Sequence, residues 1–322
     1  MKKLAAISAV ALAGSLLLAA CATQETPPSL RPLSKDAMML LGKKGMKTEA
    51  PIFVRIFKEE SELEIWKARD DGHFYHFKTY PICTWSGELG PKLAQGDKQA
   101  PEGFYTVSKT LMNPNSSFHL AFNLGFPNAY DKAHKRSGSA LMVHGKCKSA
   151  GCYAMTDALI EEIYALAREQ FAAGHDSFQV HAYPFRMTEA NMARHKGHRW
   201  FAFWQTLKDG HDLFELTRQP PPVTICERRY NVNARPIQNV SMRVDPEGRC
   251  PVFERRKPEP FKGLGTAEQI AEQRVVAPGP KMRTMVATES GAPATGTEPG
   301  VLSGLLKSST PKGPSLGLTG AN

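Results

Sequence analysis

The residues of this sequence best suited to covalent chemistry are a histidine and a cysteine eight positions apart, His144 and Cys152. A cysteine thiolate is a strong nucleophile, and a nearby imidazole can accept the thiol proton or pair with the thiolate. Gly151 lets the backbone turn tightly, so that the amides of Gly151 and Cys152 can point at a developing oxyanion. A helix predicted to begin at Asp157 would bring the positive end of its dipole near the thiol. These features favour nucleophilic catalysis by Cys152, with His144 as its base.

The same residues allow two other interpretations. Cys152 can be a buried cysteine packed beside a core histidine. Alternatively, His144, Cys147 and Cys152 can ligate zinc, because imidazole and thiolates suit that metal, but no fourth ligand lies at a suitable local spacing. We therefore predict neither a metal nor a cofactor, and we interpret Cys147 as an incidental neighbour, packed or redox-sensitive.

The segment that must position these side chains, residues 51–185, has the pattern of a β-rich domain with one helix. Alternating or aromatic-rich runs predict a hairpin and further strands, over residues 52–57, 63–66, 73–82, 103–107, 140–143 and 177–183. The strand over 140–143 would deliver His144. Apolar residues at helical spacing predict a helix over 157–173, which Gly174 ends. Cys83 ends an aromatic strand and is expected in the core.

The N-terminus predicts the compartment. Residues 1–20 place two lysines before a short apolar run, which is typical of a secretory signal peptide and less so of a membrane-anchor helix. The end of this run resembles a bacterial lipobox, in which Cys21 becomes the lipidated first residue and anchors the chain to a membrane surface. By the sorting pattern of enteric lipoproteins, the absence of Asp at Ala22 and Thr23 predicts the outer membrane. The mature protein would then face the periplasm.

Composition limits the class of partner. The 322 residues carry 41 Lys and Arg against 31 Asp and Glu, a net charge of +10 that falls to +8 once Lys2 and Lys3 are removed with the signal peptide. A hydrophobic share of 41% excludes a wholly disordered or collagen-like chain. A basic balance favours an anionic partner. In the periplasm that polymer is peptidoglycan, and nucleic acid is not an expected partner.

The regions on either side of the β-rich domain have simpler patterns. Residues 21–50 contain prolines and lysines and predict a tether. Residues 186–262 predict a small extension, helical over 188–214 and then irregular and basic, in which Cys226 and Cys250 are either two unpaired thiols or a disulfide worth about 3 kcal/mol. Residues 263–322 are rich in Gly and Pro, and they predict a disordered tail.

Several ordered motifs resemble one known family. The string HGKCKSAGCYAMTD over 144–157 resembles the signature of L,D-transpeptidase catalytic domains, which have the YkuD fold, and is most similar to their YafK branch. The strings SGELGPK over 86–92, GDKQAPEGFY over 96–105 and NLGFPNAYD over 123–131 resemble the same branch. The resemblance covers roughly residues 51–185, weakens through 186–236 and does not reach the tail.

The resemblance implies a mostly β fold with α, namely a YkuD-like β-sandwich with a helix after the catalytic cysteine. It implies that Cys152 attacks the carbonyl after the L-centre of diaminopimelate in a peptidoglycan stem peptide, and that an amine or water resolves the thioester. His144 would act as general base and then as acid, and the amides of Gly151 and Cys152 would form the oxyanion hole. The outcome would be cell-wall cross-linking or protein attachment.

One departure from the family pattern concerns substrate contacts. Many members read Ser-His-Gly-Cys-Ile/Val-Arg, whereas here Ala150 replaces the histidine and Tyr153-Ala154 replace the last pair, so family contacts at these positions do not carry over. The remaining candidate contacts are Ser149, Tyr153 and Asp97, although Asp97 also fits turn chemistry alone. Two alternative functions stay open: a hydrolase that releases a lipoprotein covalently attached to peptidoglycan, and a non-catalytic peptidoglycan-binding lipoprotein.

Overall fold

Two five-stranded mixed sheets organise the chain, which this computed structural model describes over residues 25–237 and 244–263. The strands are β1 Ile52–Phe57, β2 Glu62–Ala68, β3 Phe74–Pro81, β4 Thr84–Trp85, β5 Gly103–Ser108, β6 Met112–Asn113, β7 Ala121–Asn123, β8 Met142–His144, β9 Tyr153–Ala154, β10 Ser177–Tyr183, β11 Val223–Cys226, β12 Arg229–Val232, β13 Arg235–Pro236 and β14 Phe253–Glu254. The helices are α1 Lys35–Lys43, α2 Ala129–Ala133, α3 Asp157–Ala172, α4 Glu189–Arg194 and α5 Phe201–Thr217.

The first sheet has the order β3-β2-β1-β10-β5, and the second has the order β4-β9-β8-β7-β6. Each contains one parallel pair, β1 with β10 and β8 with β9, among antiparallel neighbours. The predicted hairpin of β1 and β2 is confirmed, with Val54 opposite Ile65. The remaining strands form two two-stranded antiparallel sheets, β11-β12 and β13-β14.

The central strand β1 explains how the sheets are buried. Its near-continuous apolar run is buried at every position, as expected for a strand that is covered on both faces. Val54 and Ile56 belong to the main core, which also includes side chains from the second sheet and from α3. Phe53 lies on the other face, against Phe214 of α5. The mixed β and α fold with a helix after Cys152 is the predicted class.

Helix α3 has the boundaries that its sequence indicates. The Thr156 side chain accepts a hydrogen bond from the Leu159 amide and caps the first turn. Gly174, with φ of 91°, follows the end of the helix in the left-handed conformation that glycine tolerates best. The apolar face, which includes Ile160 and Ile163, is buried in the main core.

One expectation about the regions outside the sheets is wrong, and the structure adds detail to a second. Part of the predicted tether is helix α1, which Ser34 caps and which buries Ala37 and Leu41 in the main core. The segment expected to be helical over 188–214 contains two helices, α4 and α5, and the chain leaves helical geometry between Arg194 and Phe201. Prolines and lysines are frequent in the segment of α1 and suggested a tether. Composition does not reveal that Ala37 and Leu41, four residues apart, share one face of a helix.

Other parts of the chain lie beyond what the structure describes. The predicted signal peptide, Cys21 and the predicted tail after residue 263 are outside the described residues. Within residues 25–237 and 244–263, no helix is long and apolar enough to cross a bilayer. Cys226 and Cys250 form a disulfide, which decides between the two states left open by the sequence.

Candidate active site

The parallel pair of β8 and β9 brings His144 and Cys152 to the same face of the second sheet. His144 lies opposite Ala154, and Val143 lies opposite Tyr153. This register places Cys152, just before β9, beside Met142. Because alternate residues share a face and each residue advances the strand by ~3.3 Å, the two side chains are separated by about 6–7 Å along the strands.

The His144 ring has a defined tautomer. Its Nδ1 lies 2.7 Å from the carbonyl oxygen of Gly145, and a carbonyl can only accept, so Nδ1 must carry a proton. In the neutral ring this leaves Nε2 as a proton acceptor. His144 is only 4% exposed, and burial lowers the pKa of its imidazole below the usual 6.5. The ring is therefore neutral near pH 7 and ready to act as a base at Nε2.

The Cys152 thiol is bound by the backbone of the neighbouring strand. The Met142 amide donates to Sγ at 3.4 Å, and the thiol lies 3.5 Å from the carbonyl oxygen of Ala140. Burial raises the pKa of the thiol above its usual value of 9.0, and the Met142 amide and the charge of Lys92 oppose this rise without cancelling it. Cys152 therefore rests as a protonated thiol.

The sequence predicted that the helix dipole would favour a Cys152 thiolate, but the structure favours a neutral thiol beside a neutral imidazole. Strand β9 stands between Cys152 and the cap of α3 at Thr156, so the thiol does not sit on the first turn of the helix. The dipole acts strongly only within that turn. Desolvation therefore dominates the ionisation of both groups, and an attack by the thiol would need a base, such as His144, to remove its proton.

Ser149 binds the backbone at the end of the nucleophile loop, defined here as residues 145–151. Its Oγ lies 3.1 Å from the Cys152 amide and 3.3 Å from the Gly151 amide, and it donates to the Cys152 carbonyl at 2.7 Å. Both amides expected to form an oxyanion hole thus donate to Ser149 in this structure. An oxyanion would have to take the place of the Ser149 hydroxyl. Ser149 positions the backbone of Cys152 and was expected only as a substrate contact.

Two other predicted contacts have structural roles. Tyr153 is fully buried, and its hydroxyl donates to the Pro101 carbonyl at 2.6 Å, so the structure does not offer it to a substrate. The reason is the sheet alternation, which turns Tyr153 inward when Cys152 faces outward. Asp97 forms an ion pair with Lys92 and accepts from the amides of Leu93, Ala94 and Gln99. This is the turn chemistry that competed with a substrate role.

The two cysteines interpreted as a core residue and an incidental neighbour are bonded to each other. Cys83 and Cys147 form a disulfide, with Cα atoms 5.2 Å apart. The zinc interpretation needed Cys147 as one of three ligands, and a cysteine in a disulfide cannot bind zinc as a thiolate. Among the described residues, no group of three or more His, Cys, Asp or Glu side chains could hold a metal ion.

Three features near the site carried no clear signal in the sequence. The Phe118 ring lies 4.7 Å from the His144 ring, although Phe118 is 42% exposed. Lys92 is buried and contributes a positive charge near Cys152. The Ala140 carbonyl contacts the thiol through the backbone, which no residue type can reveal. The disulfide could have been suspected from the oxidising compartment that the leader sequence predicts.

Comparison with known proteins shows the family of the chain. A family model described as the L,D-transpeptidase catalytic domain (YkuD) matches residues 54–180. The chain is 42% identical over 234 residues to YafK of Escherichia coli (strain K12), whose designation as an L,D-transpeptidase is provisional; the match covers 72% of this chain and 91% of that protein. YafK of Escherichia coli O157:H7 matches equally well.

Two solved structures are more distant. The helical cell shape determining protein Pgp2 of Campylobacter jejuni is 18% identical, with a TM-score of 0.34 over 56% of this chain and 68% of that chain. Bd1075 of Bdellovibrio bacteriovorus is 20% identical, with a TM-score of 0.30 over 58% of this chain and 65% of that chain. Scores this low indicate nothing about function. The family model and the relative at 42% identity decide the matter: this chain belongs to the L,D-transpeptidase (YkuD) catalytic domain family.

Proposed function

We propose that the protein is a cysteine acyltransferase that acts on diaminopimelate-containing stem peptides of peptidoglycan, in cell-wall cross-linking or protein attachment. The observation that carries the proposal is the neutral pair of His144 and Cys152 on one face of β8 and β9. An L,D-transpeptidase-type activity follows from the family, and the pair supplies its chemistry.

In the proposed first step, Cys152 Sγ attacks the carbonyl carbon after the L-centre of diaminopimelate. The thiol proton passes to Nε2 of His144, while the hydrogen bond from Nδ1 to the Gly145 carbonyl keeps the ring in the productive tautomer. The tetrahedral intermediate then collapses to a thioester. The C–N bond breaks, and the departing amine takes the proton from the His144 imidazolium.

In the proposed second step, an amine attacks the thioester and gives a proton to Nε2 of His144. Breaking the C–S bond returns that proton to Cys152, so the enzyme leaves the cycle unchanged. Water in place of the amine would yield a carboxylate. The same two residues therefore serve transfer and hydrolysis.

Hydrolysis that releases a peptidoglycan-linked protein is a second candidate, and one observation favours it. At the positions where many family members carry His and Arg, this chain has Ala150, which is exposed but apolar, and Ala154, which is buried. The site thus has fewer polar side chains to hold an amine against the thioester in competition with water at ~55 M. Release of a lysine-linked protein from diaminopimelate uses water to resolve the thioester, so it would need no binding site for an amine acceptor.

We propose a periplasmic location, with the chain anchored through a lipid on Cys21 and facing peptidoglycan from the outer membrane. The two disulfides support an oxidising compartment outside the cytoplasm. The net positive charge also suits an anionic polymer.

The test is to incubate the purified full-length protein with muropeptides, with and without an attached lysine-bearing peptide, and to analyse proteins and products by mass spectrometry. An acyl adduct on Cys152 is expected. New cross-linked dimers or fresh peptide attachment would indicate transfer, and free peptide with tripeptide muropeptide would indicate release.

Variants give the control for this test. Cys152→Ala should form no adduct and no product, and His144→Gln should lower kcat/KM by ~100-fold or more, because a general base is lost. His175→Gln, beyond the far end of α3 from the site, should match the wild type. Wild-type rates in Cys152→Ala or His144→Gln would refute the proposal and leave a binding role.

A further inference from the structure

The Cys83–Cys147 disulfide fastens the nucleophile loop to the sheet. Cys147 lies within this loop, three residues after His144 and five before Cys152. Cys83 immediately precedes β4, and its amide donates to the Ala154 carbonyl at 2.8 Å. Because β4 pairs with β9 on the side away from β8, the disulfide joins the loop to the strand beyond β9. The loop leaves from β8 and returns to β9, and the disulfide attaches it to the residue before β4, so three neighbouring strands hold it.

The backbone of the loop needs such support. Lys146 and Cys147 have φ of 63° and 48°, a left-handed conformation that residues with a side chain adopt only when their surroundings hold them there. Hydrogen bonds also hold these two residues: the Cys147 amide donates to the Met155 carbonyl at 3.1 Å, and Lys146 donates to Asp157 Oδ1 through its amide and to the Ser117 carbonyl through Nζ, both at 2.7 Å. Loss of the disulfide would leave only such weaker contacts between base and nucleophile.

The disulfide also decides which cysteine is free. Cys152 is the free cysteine of the described residues. Without a bond to Cys83, the Cys147 thiol would lie five positions from Cys152 in one short loop. Closing so short a loop costs less chain entropy than closing the 64-residue separation of Cys83 and Cys147. A bridge between Cys147 and Cys152 is therefore the competing pairing, and it would remove the nucleophile.

We propose that the Cys83–Cys147 disulfide is a positioning and protecting device of the active site. It holds the nucleophile loop, and it occupies Cys147 so that Cys152 stays a free thiol under oxidising conditions. The inference rests on the proposed function for the role of Cys152, but the pairing of the cysteines can be measured without any substrate.

The competing reaction is a balanced thiol–disulfide exchange. One protein thiolate attacks glutathione disulfide and releases one glutathione, and the second thiolate then displaces the other glutathione. Two protein thiols are oxidised to one disulfide, one glutathione disulfide is reduced to two glutathione thiols, and the two protein protons end on glutathione.

The first experiment follows the Cys152 thiol in the full-length protein. Wild type, Cys83→Ser, Cys83→Ser/Cys147→Ser and the matched control Cys226→Ser/Cys250→Ser are exposed to glutathione disulfide and then labelled with iodoacetamide. We expect labelling of Cys152 to fall by at least tenfold in Cys83→Ser alone. Peptide mapping should then find a Cys147–Cys152 bridge that dithiothreitol reverses. Undiminished labelling of Cys152 in Cys83→Ser would overturn the protecting role.

The second experiment measures positioning on muropeptides. Cys83→Ser/Cys147→Ser keeps Cys152 free, so any loss of kcat/KM reports loop geometry; we expect about tenfold or more, because small displacements in a catalytic site are costly. The control Cys226→Ser/Cys250→Ser should retain wild-type activity. An unchanged kcat/KM in the double variant would overturn the positioning role.

A third measurement needs no substitution and so does not depend on the variants folding. Wild type treated with dithiothreitol should lose activity and regain it when the Cys83–Cys147 bond re-forms. Activity that persists after mapping proves full reduction would overturn the positioning role. If wild type has no activity on muropeptides, the proposed function fails, while the labelling experiment still decides the protecting role.

Discussion

At the scale of single residues, burial determines the protonation of the catalytic pair. It lowers the pKa of the His144 imidazole and raises the pKa of the Cys152 thiol, so both groups are neutral over a range that includes pH 7. An ion pair of thiolate and imidazolium, as in many cysteine enzymes, would need the opposite shifts. The proposed mechanism thus relies on proton transfer at the moment of attack.

The first prediction concerns pH. Since His144 acts as a base only when neutral and its pKa is lowered, the acid limb of kcat/KM should have its midpoint below pH 6.5. Since the thiol pKa is raised, iodoacetamide labelling of Cys152 should still be rising at pH 9.0. Cys152→Ala provides the background for labelling. An acid limb with its midpoint at or above pH 6.5, or labelling that levels off well below pH 9, would contradict these directions.

At the scale of elements, helix α5 supports the active site through a buried ion pair. Lys58, just after β1, donates to Glu102 at 3.0 Å, and both side chains are fully buried. The other Glu102 oxygen accepts from Trp204 of α5 at 2.8 Å. Lys58 also donates to backbone carbonyls of the 86–102 segment, at residues 88, 90 and 100.

That segment in turn contacts the nucleophile loop and Tyr153, the residue that follows Cys152. Ser86 Oγ lies 3.2 Å from Ser149 Oγ, and the Pro101 carbonyl accepts from Tyr153. A path of direct contacts therefore leads from α5 to the residues that flank Cys152. The extension is part of the support of the site.

The second prediction tests this ion pair. Lys58→Met should lower the free energy of unfolding by about 3–5 kcal/mol, because it leaves the Glu102 carboxylate buried without its cation. Lys58→Met/Glu102→Gln should recover part of the loss, since the remaining amide is uncharged. Urea unfolding monitored by circular dichroism measures both.

The control is an exposed pair of the same kind. Lys47 binds Asp70 at 2.7 Å on the surface, and Lys47→Met should leave the unfolding midpoint unchanged. Equal effects of Lys58→Met and Lys47→Met would show that the buried pair does not support the fold.

At the scale of the whole molecule, the first described residues are bound to the domain. Arg31 forms an ion pair with Glu161 of α3 at 2.8 Å, and Arg168 donates to the carbonyls of Ser29 and Arg31. Glu25 follows Cys21 by four positions, at most ~14 Å of chain. A lipid on Cys21 would therefore keep the catalytic domain close to the membrane surface.

The third prediction follows from this short connection. Cys21→Ala should move the protein from the membrane fraction to the soluble periplasmic fraction or leave it unprocessed, because the lipid is its proposed anchor. Fractionation and immunoblotting measure the distribution, and Cys152→Ala, which keeps the lipobox, is the control. An unchanged membrane share with normal processing would contradict lipidation.

By itself, the sequence determined the features that depend on near neighbours along the chain. The apolar run of β1, the cap and stop of α3 and the eight-residue spacing of His144 and Cys152 all lie within short windows, where hydrophobic pattern and glycine placement act directly. The family resemblance rests on the same local strings. These features suffice for the fold class and the two catalytic candidates.

Only the tertiary structure decided what depends on distant segments. It paired Cys83 with Cys147 across 64 positions, packed α1 on the core and turned Tyr153 inward. It also made the catalytic pair neutral. The physical reason is that disulfide geometry, burial and desolvation depend on which segments meet in space, and residue spacing along the chain carries no measure of that.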